Sequence, residues 1–181
     1  DRVATCGNDR LVKLWSVADG SLLGTLGGHE HHVYNVAWRP DGSALVSCDL
    51  KGVVKDWDIA ASKPKRDLAA AALWTYDTTF RADIGGARSI AFRGDGSQLA
   101  VGGITNVTNA FAGVGHPAVV VFAWADGKQA VLLEAKEKAN GVCWGLSWHP
   151  SGFWVTAAGG GGGGWLSFYK GDAANEFHKL K

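Results

Sequence analysis

The 181-residue chain carries a formal net charge of +1, and 46% of its residues are hydrophobic against 19% that are charged. This composition is sufficient to bury the core of one domain, and it excludes an intrinsically disordered chain. The sequence has no basic run that would attract nucleic acid, no signal peptide and no apolar stretch long enough to span a bilayer. We therefore expect a soluble globular protein with no nucleic-acid or membrane partner, in a compartment that these features leave open.

Glycine, tryptophan and the sulfur-containing residues depart from ordinary usage. The chain has 26 glycines and nine tryptophans but no methionine, which indicates a processed or excised part of a longer product. Its three cysteines, Cys6, Cys48 and Cys143, lie far apart in apolar runs. Because their number is odd and no C-x-x-C pair occurs, we predict buried free thiols.

The first predicted unit, residues 1–27, contains three short apolar runs. Residues 3–17 (VATCGNDRLVKLWSV) supply two of them, and residues 21–27 (SLLGTLG) supply the third. Runs of this length that are rich in Val and Trp and bounded by Gly or Asp are typical of β-strands. The ADG sequence between the second and third runs predicts a tight turn, since Gly accepts positive φ and Asp bonds its own backbone.

The second unit, residues 28–84, repeats these runs with one more strand ahead of them. That first run ends in a Pro-Asp-Gly turn, and the third run ends in Trp57-Asp58. The three runs are VAWRPDG (36–42), ALVSCDL (44–50) and VVKDWDI (53–59).

The third and fourth units, residues 85–140 and 141–181, follow the same order. Their first runs end in turns of the same kind, and a fourth run closes each unit. The runs are IAFRGDG (90–96), QLAVGGI (98–104), VVVFAWA (119–125) and KQAVLLE (128–134), then LSWHPSG (146–152), FWVTAAG (153–159), WLSFYK (165–170) and EFHKLK (176–181). Helical periodicity is weak throughout, so the predicted class is all-β.

Repeated four-strand units of this kind resemble the blades of the WD-repeat β-propeller family, and the resemblance covers essentially the whole chain. Its clearest stretch is 28–59, where GHEHHVYNVAWRPDG fits the family's Gly-His corner, inner strand and turn, and Trp57-Asp58 fits its signature pair. VKLWS (12–16) is the same strand with Ser16 in place of the aspartate, whereas the last two units have FAWA and SFYK there.

The resemblance implies blades of four antiparallel strands, which we label a to d in chain order. It predicts about four blades in a partial ring, of which the first lacks its inner strand a. The sequence is also similar to bacterial propellers that are attached to other domains.

The resemblance gives His29 a structural role. In the family, this histidine bonds a strand-b hydroxyl, a turn aspartate and the signature tryptophan, and His29, Ser47 and Trp57 occupy three of these positions. The turn aspartate should lie six residues before the tryptophan, where this chain has Lys51. We therefore predict that His29 has no aspartate acceptor in its own blade.

The first unit has the opposite gap in the same network. Thr5, Asp9 and Trp15 stand at the hydroxyl, aspartate and indole positions, but no segment ahead of them supplies the histidine.

The histidine-rich stretch 29–32 also raises two chemical alternatives. Adjacent strand side chains point to opposite faces, so His31 and His32 do not share a metal ion, and His29 with His31 would need ligands from elsewhere. Catalysis has little support because the chain has no G-x-S-x-G, no H-E-x-x-H and no paired carboxylates on inner strands. The glycine run 157–165 lacks the lysine and helix of a phosphate loop and predicts a flexible turn. We expect no metal, no cofactor and no enzymatic activity.

A candidate binding surface follows from aligning the inner strands on VAW, IAF and LSW. Tyr34, Arg88 and Trp144 then take one equivalent position, which the resemblance places near the central channel with His32 at the rim. Tyr, Arg and Trp are enriched in binding hot spots because each offers a large area and a polar group. The alternative is that all three pack between blades, and of the three residues Trp144 fits this alternative best.

Two segments exceed a minimal blade. Residues 104–118 replace the short turn between strands b and c of the third unit, and residues 61–86 extend the third-to-fourth-strand region of the second unit. The latter carries Trp74, Tyr76 and Phe80. Loops longer than about 12 residues in a compact domain are usually functional or flexible. Each segment is therefore either a partner-binding loop or a buttress on the blade edge.

The leading functional prediction is a non-enzymatic scaffold that binds a protein or peptide partner. Two alternatives stay open: a propeller enzyme or metal-dependent catalyst with its site at the channel mouth, and a purely structural spacer in a multidomain protein. A partial ring would expose the apolar faces of its first and last blades. We expect another copy of the chain, or the rest of a longer protein, to cover them; two copies joined head to tail would close a ring of two-fold symmetry.

Overall fold

The structure, a computed structural model, describes residues 1–109 and 114–181. Within those residues the chain forms seventeen β-strands and one turn of 3₁₀ helix, Ala71–Leu73. Four antiparallel sheets follow one another in chain order, and two further strands form a separate hairpin. The predicted all-β class is confirmed.

The first sheet has three strands and the other three sheets have four each. The first contains β1 (Arg2–Cys6), β2 (Val12–Ser16) and β3 (Leu22–Leu26); the second contains β4 (Val33–Trp38), β5 (Leu45–Asp49), β6 (Val53–Asp58) and β7 (Lys63–Ala69). The hairpin is β8 (Trp74–Asp77) and β9 (Ala82–Gly85). The third sheet contains β10 (Ala87–Phe92), β11 (Gln98–Asn109), β12 (Val114–Ala123) and β13 (Gln129–Glu134); the fourth contains β14 (Val142–His149), β15 (Phe153–Gly160), β16 (Gly163–Lys170) and β17 (His178–Leu180).

The sheets pack face to face around their first strands. Strand order within each four-stranded sheet equals chain order, so β4, β10 and β14 are edge strands. Strand β10 contacts both β4 and β14, which places the three edge strands side by side. They are the inner strands of three consecutive propeller blades.

Three hydrophobic clusters occupy the spaces between consecutive sheets. Each sheet therefore buries side chains on the face that meets its neighbour, and full burial of one large apolar side chain stabilises the fold by about 1.5–3 kcal/mol. The clusters include Val12, Leu14, Leu26, Val33, Leu45 and Trp57 between the first two sheets; Val46, Cys48, Val54, Phe92, Leu99 and Phe122 in the middle; and Ala100, Val119, Leu133, Cys143, Trp154 and Tyr169 between the last two.

Strand β5 shows why its sequence is apolar without strict alternation. All five of its residues are buried, because the second sheet has a neighbour on each face. Leu45 packs toward the first sheet, whereas Val46 and Cys48 pack toward the third. Successive side chains of a strand point to opposite faces, so Ser47 lies on the same face as Leu45.

The two ends of the sheets differ in their connections. We call the end at which β4, β10 and β14 begin the elaborated end. Because the strands are antiparallel, the b–c turns and the links between sheets also lie at this end. The Gly141 N–H in the link between β13 and β14 donates to Gly115 O in the β11–β12 hairpin. The opposite, short-turn end carries tight Asp-Gly turns such as Asp41-Gly42, with φ of 72° at Gly42. Arg39 at that end donates to Gly96 O and so joins the second and third sheets.

The long segment of the second unit is shorter than the sequence predicts. Residues 63–69 form strand β7, which pairs with β6, so the fourth strand of this sheet lies within the range 61–86 that we assigned to the extension. The insertion is residues 70–86, between β7 and β10. Strand β7 was not predicted because it has few apolar residues. Pro64 and the charged residues around it are typical of an exposed edge strand.

The other long segment is a continuation of two strands. Pairing of β11 with β12 extends through Thr105 and His116 to Asn109 and Val114. The predicted b–c loop of the third unit is therefore largely a β-hairpin, and its residues 110–113 lie outside the described part of the chain.

All three cysteines are free thiols, as predicted. Cys48 and Cys143 are buried, but Cys6 is only partly so. Burial raises the pKa of the Cys143 thiol to about 11 and also raises the pKa of Cys48. Both thiols are thus protonated at neutral pH.

Candidate functional site

The inner strands share one irregularity at the elaborated end. The pairing of β4 with β5 shifts register between Val33 and Asn35, and the residue left out of the ladder is Tyr34. The same shift leaves Arg88 unpaired in β10 and Trp144 unpaired in β14. A β-bulge of this kind bends the strand and redirects the extra side chain.

The three bulged residues come together across the sheets. The Arg88 guanidinium lies 3.8 Å from the centroid of the Tyr34 ring and 6.0 Å from that of Trp144. Arg88 Nη2 donates to Gly85 O at 2.9 Å, which fixes the side chain over the tyrosine. Stacking of a guanidinium on an aromatic face is favourable and leaves the edge of the cation available for other contacts. Tyr34 and Arg88 are both partly exposed.

Trp144 is not a core residue, which argues against the alternative that it packs between blades. Its side chain is 60% exposed, and its indole Nε1 donates to Gly159 O at 3.2 Å. The bulge between Cys143 and Gly145 explains the difference: Cys143 takes the buried position toward the third sheet, and the additional residue is turned to the surface.

A cavity of about 690 Å³ lies beside Trp144. The residues around it come from the connection into β14, the β15–β16 turn and the start of β12. They are Val114, Asn140, Gly141, Val142, Trp144 and the five glycines 159–163. The glycine run is thus a two-residue turn flanked by paired strands, and it forms one wall of an open depression.

The other predicted surface residue and the inserted hairpin lie at the same end. His32 is exposed, and its backbone carbonyl accepts a hydrogen bond from Leu50 N–H in the β5–β6 turn. Lys51 in that turn lies 3.6 Å from Asp83 and 5.2 Å from the Trp74 ring centroid, so the base of the β8–β9 hairpin contacts the second sheet.

His29 does have an aspartate partner, and our expectation that Lys51 leaves it without one is wrong. His29 Nδ1 lies 2.8 Å from Asp49 Oδ2, and Nε2 lies 2.6 Å from Ser47 Oγ. Trp57 Nε1 donates to the same hydroxyl at 2.8 Å. With Nδ1–H donating to the carboxylate, Nε2 accepts from Ser47, and the four side chains form one buried chain of hydrogen bonds.

Asp49 reaches His29 because it lies two residues after Ser47 on strand β5. Residues i and i+2 share a strand face, so both side chains point toward the first sheet. The other carboxylate oxygen, Oδ1, accepts from the backbone N–H groups of Lys51 and Val53 and closes the turn. The two-residue spacing from Ser47 could have predicted Asp49 as the partner. The family's spacing from the tryptophan instead predicted the aspartate at the position of Lys51.

The first sheet contains the reduced form of this network. Trp15 Nε1 donates to Thr5 Oγ1 at 2.8 Å, as the alignment of the two units predicts. Asp9 instead accepts from Lys13 Nζ and from Leu11 N–H, and these hydrogen bonds hold the pKa of its carboxyl below the usual value.

The described residues offer no cluster of three or more His, Cys, Asp or Glu side chains that could hold a metal ion. In the part of the chain that the structure describes, no helix is long and apolar enough to cross a membrane.

Comparison with known proteins is consistent with these features. The WD domain, G-beta repeat family matches residues 20–58, which include His29, Ser47, Asp49 and Trp57. Topless-related protein 1 of Arabidopsis thaliana is 30% identical over 83 residues, 45% of this chain and 7% of that protein. SEC13, a protein transport protein of Lodderomyces elongisporus, is 38% identical over 61 residues, 31% of this chain and 20% of that protein.

A third relative is the WD repeat-containing protein AAC3 of Dictyostelium discoideum, 35% identical over 48 residues, 26% of this chain and 10% of that protein. The chain therefore matches only a small part of the length of each of these relatives. All three come from eukaryotes, and the similarity to bacterial propellers stays a prediction. Residues 20–58 therefore form a repeat of the WD domain, G-beta repeat type, and the buried His–Ser–Trp–Asp network and the consecutive four-stranded sheets are similar to those of WD-repeat β-propellers.

Proposed function

We propose that the chain is a non-enzymatic scaffold that binds a protein or peptide partner at its elaborated end, through Tyr34, Arg88 and Trp144 with His32 at the rim. The observation that carries this proposal is the bulge repeated at one position of three successive inner strands. A bulge interrupts the ladder, and bulges recur next to functional sites because they redirect a side chain. Packing between blades does not require it, since Val33, Ala87 and Cys143 just before the three bulges fill the buried positions.

The residue types support a protein partner. Tyr, Arg and Trp dominate binding hot spots, and here they form one connected surface beside an open cavity. The two segments that exceed a minimal blade lie at the same end. They are the β8–β9 hairpin and the extended β11–β12 hairpin. Function in repeat proteins concentrates on such loops, which a rigid scaffold positions.

The proposal can be tested by selecting peptides from a phage-displayed library of random linear dodecapeptides on the immobilised chain. We expect enriched clones that bind the wild type and lose binding to the Trp144→Ala and Arg88→Ala variants. Lys128→Ala is the matched control, since Lys128 is an exposed cation at the short-turn end. Clones that bind all variants equally, or no enrichment at all, would contradict a partner site at this surface.

A further inference from the structure

The proposed partner site has two chemically unlike parts, and together they define the segment that fits. The first part is a cation without a counterion. No Asp or Glu lies within ion-pair distance of Arg88 in the described residues, and Arg88 is partly exposed although its Nε is buried. A partly exposed guanidinium that is fixed in place and has no counterion is suited to a carboxylate, which accepts charge-assisted hydrogen bonds from Arg.

The second part is the depression between Trp144 and the glycine turn. At Gly141 and Gly160, a Cβ atom would lie 2.7 Å from a backbone oxygen, so close strand approach requires glycine there. At Gly161 and Gly162, by contrast, a Cβ would meet nothing within 4 Å, and neither residue has a positive φ. The fold does not require glycine at these two positions, and their effect is to keep the space beside the indole open.

The distance from Arg88 to the ring that borders the depression sets an approximate spacing. The Arg88 guanidinium lies 6.0 Å from the centroid of the Trp144 ring. In an extended peptide, side chains two residues apart project from the same face about 6.6 Å from each other. A carboxylate and an apolar side chain at positions i and i+2 therefore match the two parts.

We propose that this surface binds an extended peptide segment in which an Asp or Glu carboxylate contacts Arg88 and an apolar side chain two residues away enters the depression beside Trp144. The inference rests on the proposed function and specifies the partner. A nucleic-acid ligand is disfavoured, because the chain has a net charge of +1 and no basic cluster accompanies Arg88.

The test compares the peptide sequences selected from the dodecapeptide library by four proteins: the wild type, Arg88→Gln, Gly161→Leu and Gly24→Leu. Gly24 is the matched control, since a Cβ there also meets nothing within 4 Å and its φ is not positive, but it lies in the first sheet. We expect the wild type and Gly24→Leu to select an acidic residue two positions from an apolar one.

Arg88→Gln should lose the preference for the acidic residue but keep the apolar one, and Gly161→Leu should do the reverse. A peptide selected by the wild type should bind Arg88→Gln about tenfold more weakly, as loss of a charge-assisted hydrogen bond predicts. Unfolding midpoints of all four proteins show whether each is folded at the assay temperature.

Three results would overturn the inference. Clones that depend on Trp144 but lack the acidic and apolar pair would refute the spacing and leave the proposed function intact. A library that yields no clone dependent on Trp144 or Arg88 would refute both. Binding of a single-stranded dodecathymidylate that is as tight as the best peptide and weakened by Arg88→Gln would assign the surface to nucleic acid instead.

Discussion

Ser47 and Thr5 accept the same kind of tryptophan N–H in two different surroundings, and they form a matched pair. Ser47 is buried and also donates to His29, whereas Thr5 is exposed in the first sheet. We predict that Ser47→Ala lowers the free energy of unfolding by about 2–3 kcal/mol, because two buried polar atoms lose their partner.

Thr5→Ala should lower it by less than about 1 kcal/mol, since water replaces the lost hydroxyl. Urea unfolding of both variants, compared at equal m-value, measures the difference. Equal losses would contradict the buried network as a stabilising unit.

Three of the four residues in this network were predicted from the sequence, and the fourth was not. The resemblance to the WD-repeat family predicted His29, Ser47 and Trp57 as members of the network. It misplaced the aspartate, since the family's six-residue spacing predicts it at the position of Lys51. Only the alternation of strand β5 places Asp49 beside Ser47, and that argument needs the strand's orientation relative to its neighbours.

Cys143 makes stability depend on alkaline pH. Burial raises the pKa of its thiol to about 11, above the value of about 8.5 in an unfolded chain. Between these two values the unfolded state loses the proton that the folded state keeps, so stability falls as pH rises. We predict that Cys143→Ala reduces the loss of unfolding free energy between pH 8.5 and 11 by about 2–3 kcal/mol.

Denaturant titrations of both proteins across that interval test this prediction. Cys48 and Tyr169 also have pKa values raised by burial, so the variant should retain a smaller slope. An unchanged slope would mean that the Cys143 thiol ionises as readily in the folded chain as in the unfolded one.

Among the turns between strands, one requires its glycine for steric and backbone reasons, and another does not. Gly52 in the β5–β6 turn has a φ of 73°, and a Cβ there would lie 2.5 Å from Ala70 O. Gly161 in the β15–β16 turn has open space and no positive φ. We predict that Gly52→Ala destabilises the chain by about 2 kcal/mol or more, whereas Gly161→Ala stabilises it by up to about 1 kcal/mol.

Thermal unfolding midpoints of the two alanine variants decide between these effects. A stabilising effect of Gly161→Ala would also support a role of Gly161 in binding, because the glycine would then lower stability without being needed for the turn. A Gly161→Ala variant that unfolds more readily than the wild type would show that the turn itself needs glycine.

Strand positions were predictable from the sequence, but their irregularities were not. Apolar runs bounded by Asp-Gly turns identify the three strands of the first sheet and the inner strands β4, β10 and β14. The bulges at Tyr34, Arg88 and Trp144 leave no mark in a pattern of period two, since one additional residue only shifts the alternation.

For the whole molecule, the outer faces of the first and fourth sheets are the unusual surfaces. Val3 and Leu22 pair through Trp15 on the face that points away from the second sheet, and each is about half exposed. Leu166 and Leu180 are paired on the outer face of the fourth sheet and are also exposed. Exposed apolar faces of this size favour association with a further blade.

We predict that the 181-residue chain associates head to tail as its concentration rises. Sedimentation velocity should give a mass above 19.0 kDa, and Leu166→Asp with Leu180→Asp should shift the distribution toward the monomer. Lys128→Ala, at the short-turn end, is the control and should leave the distribution unchanged. A stable 19.0-kDa species at all concentrations would refute self-association.

The proposed function requires that the elaborated end is a binding surface, with Arg88 as a contact residue. The most direct test measures, for the wild type and Arg88→Ala, the affinity for one selected peptide and the unfolding midpoint. We predict that affinity falls by about tenfold or more while the midpoint changes by less than about 2 °C, because the guanidinium makes one internal hydrogen bond and a surface stack. Stability that falls as strongly as affinity would show that Arg88 only packs between blades, and the proposed binding surface would be wrong.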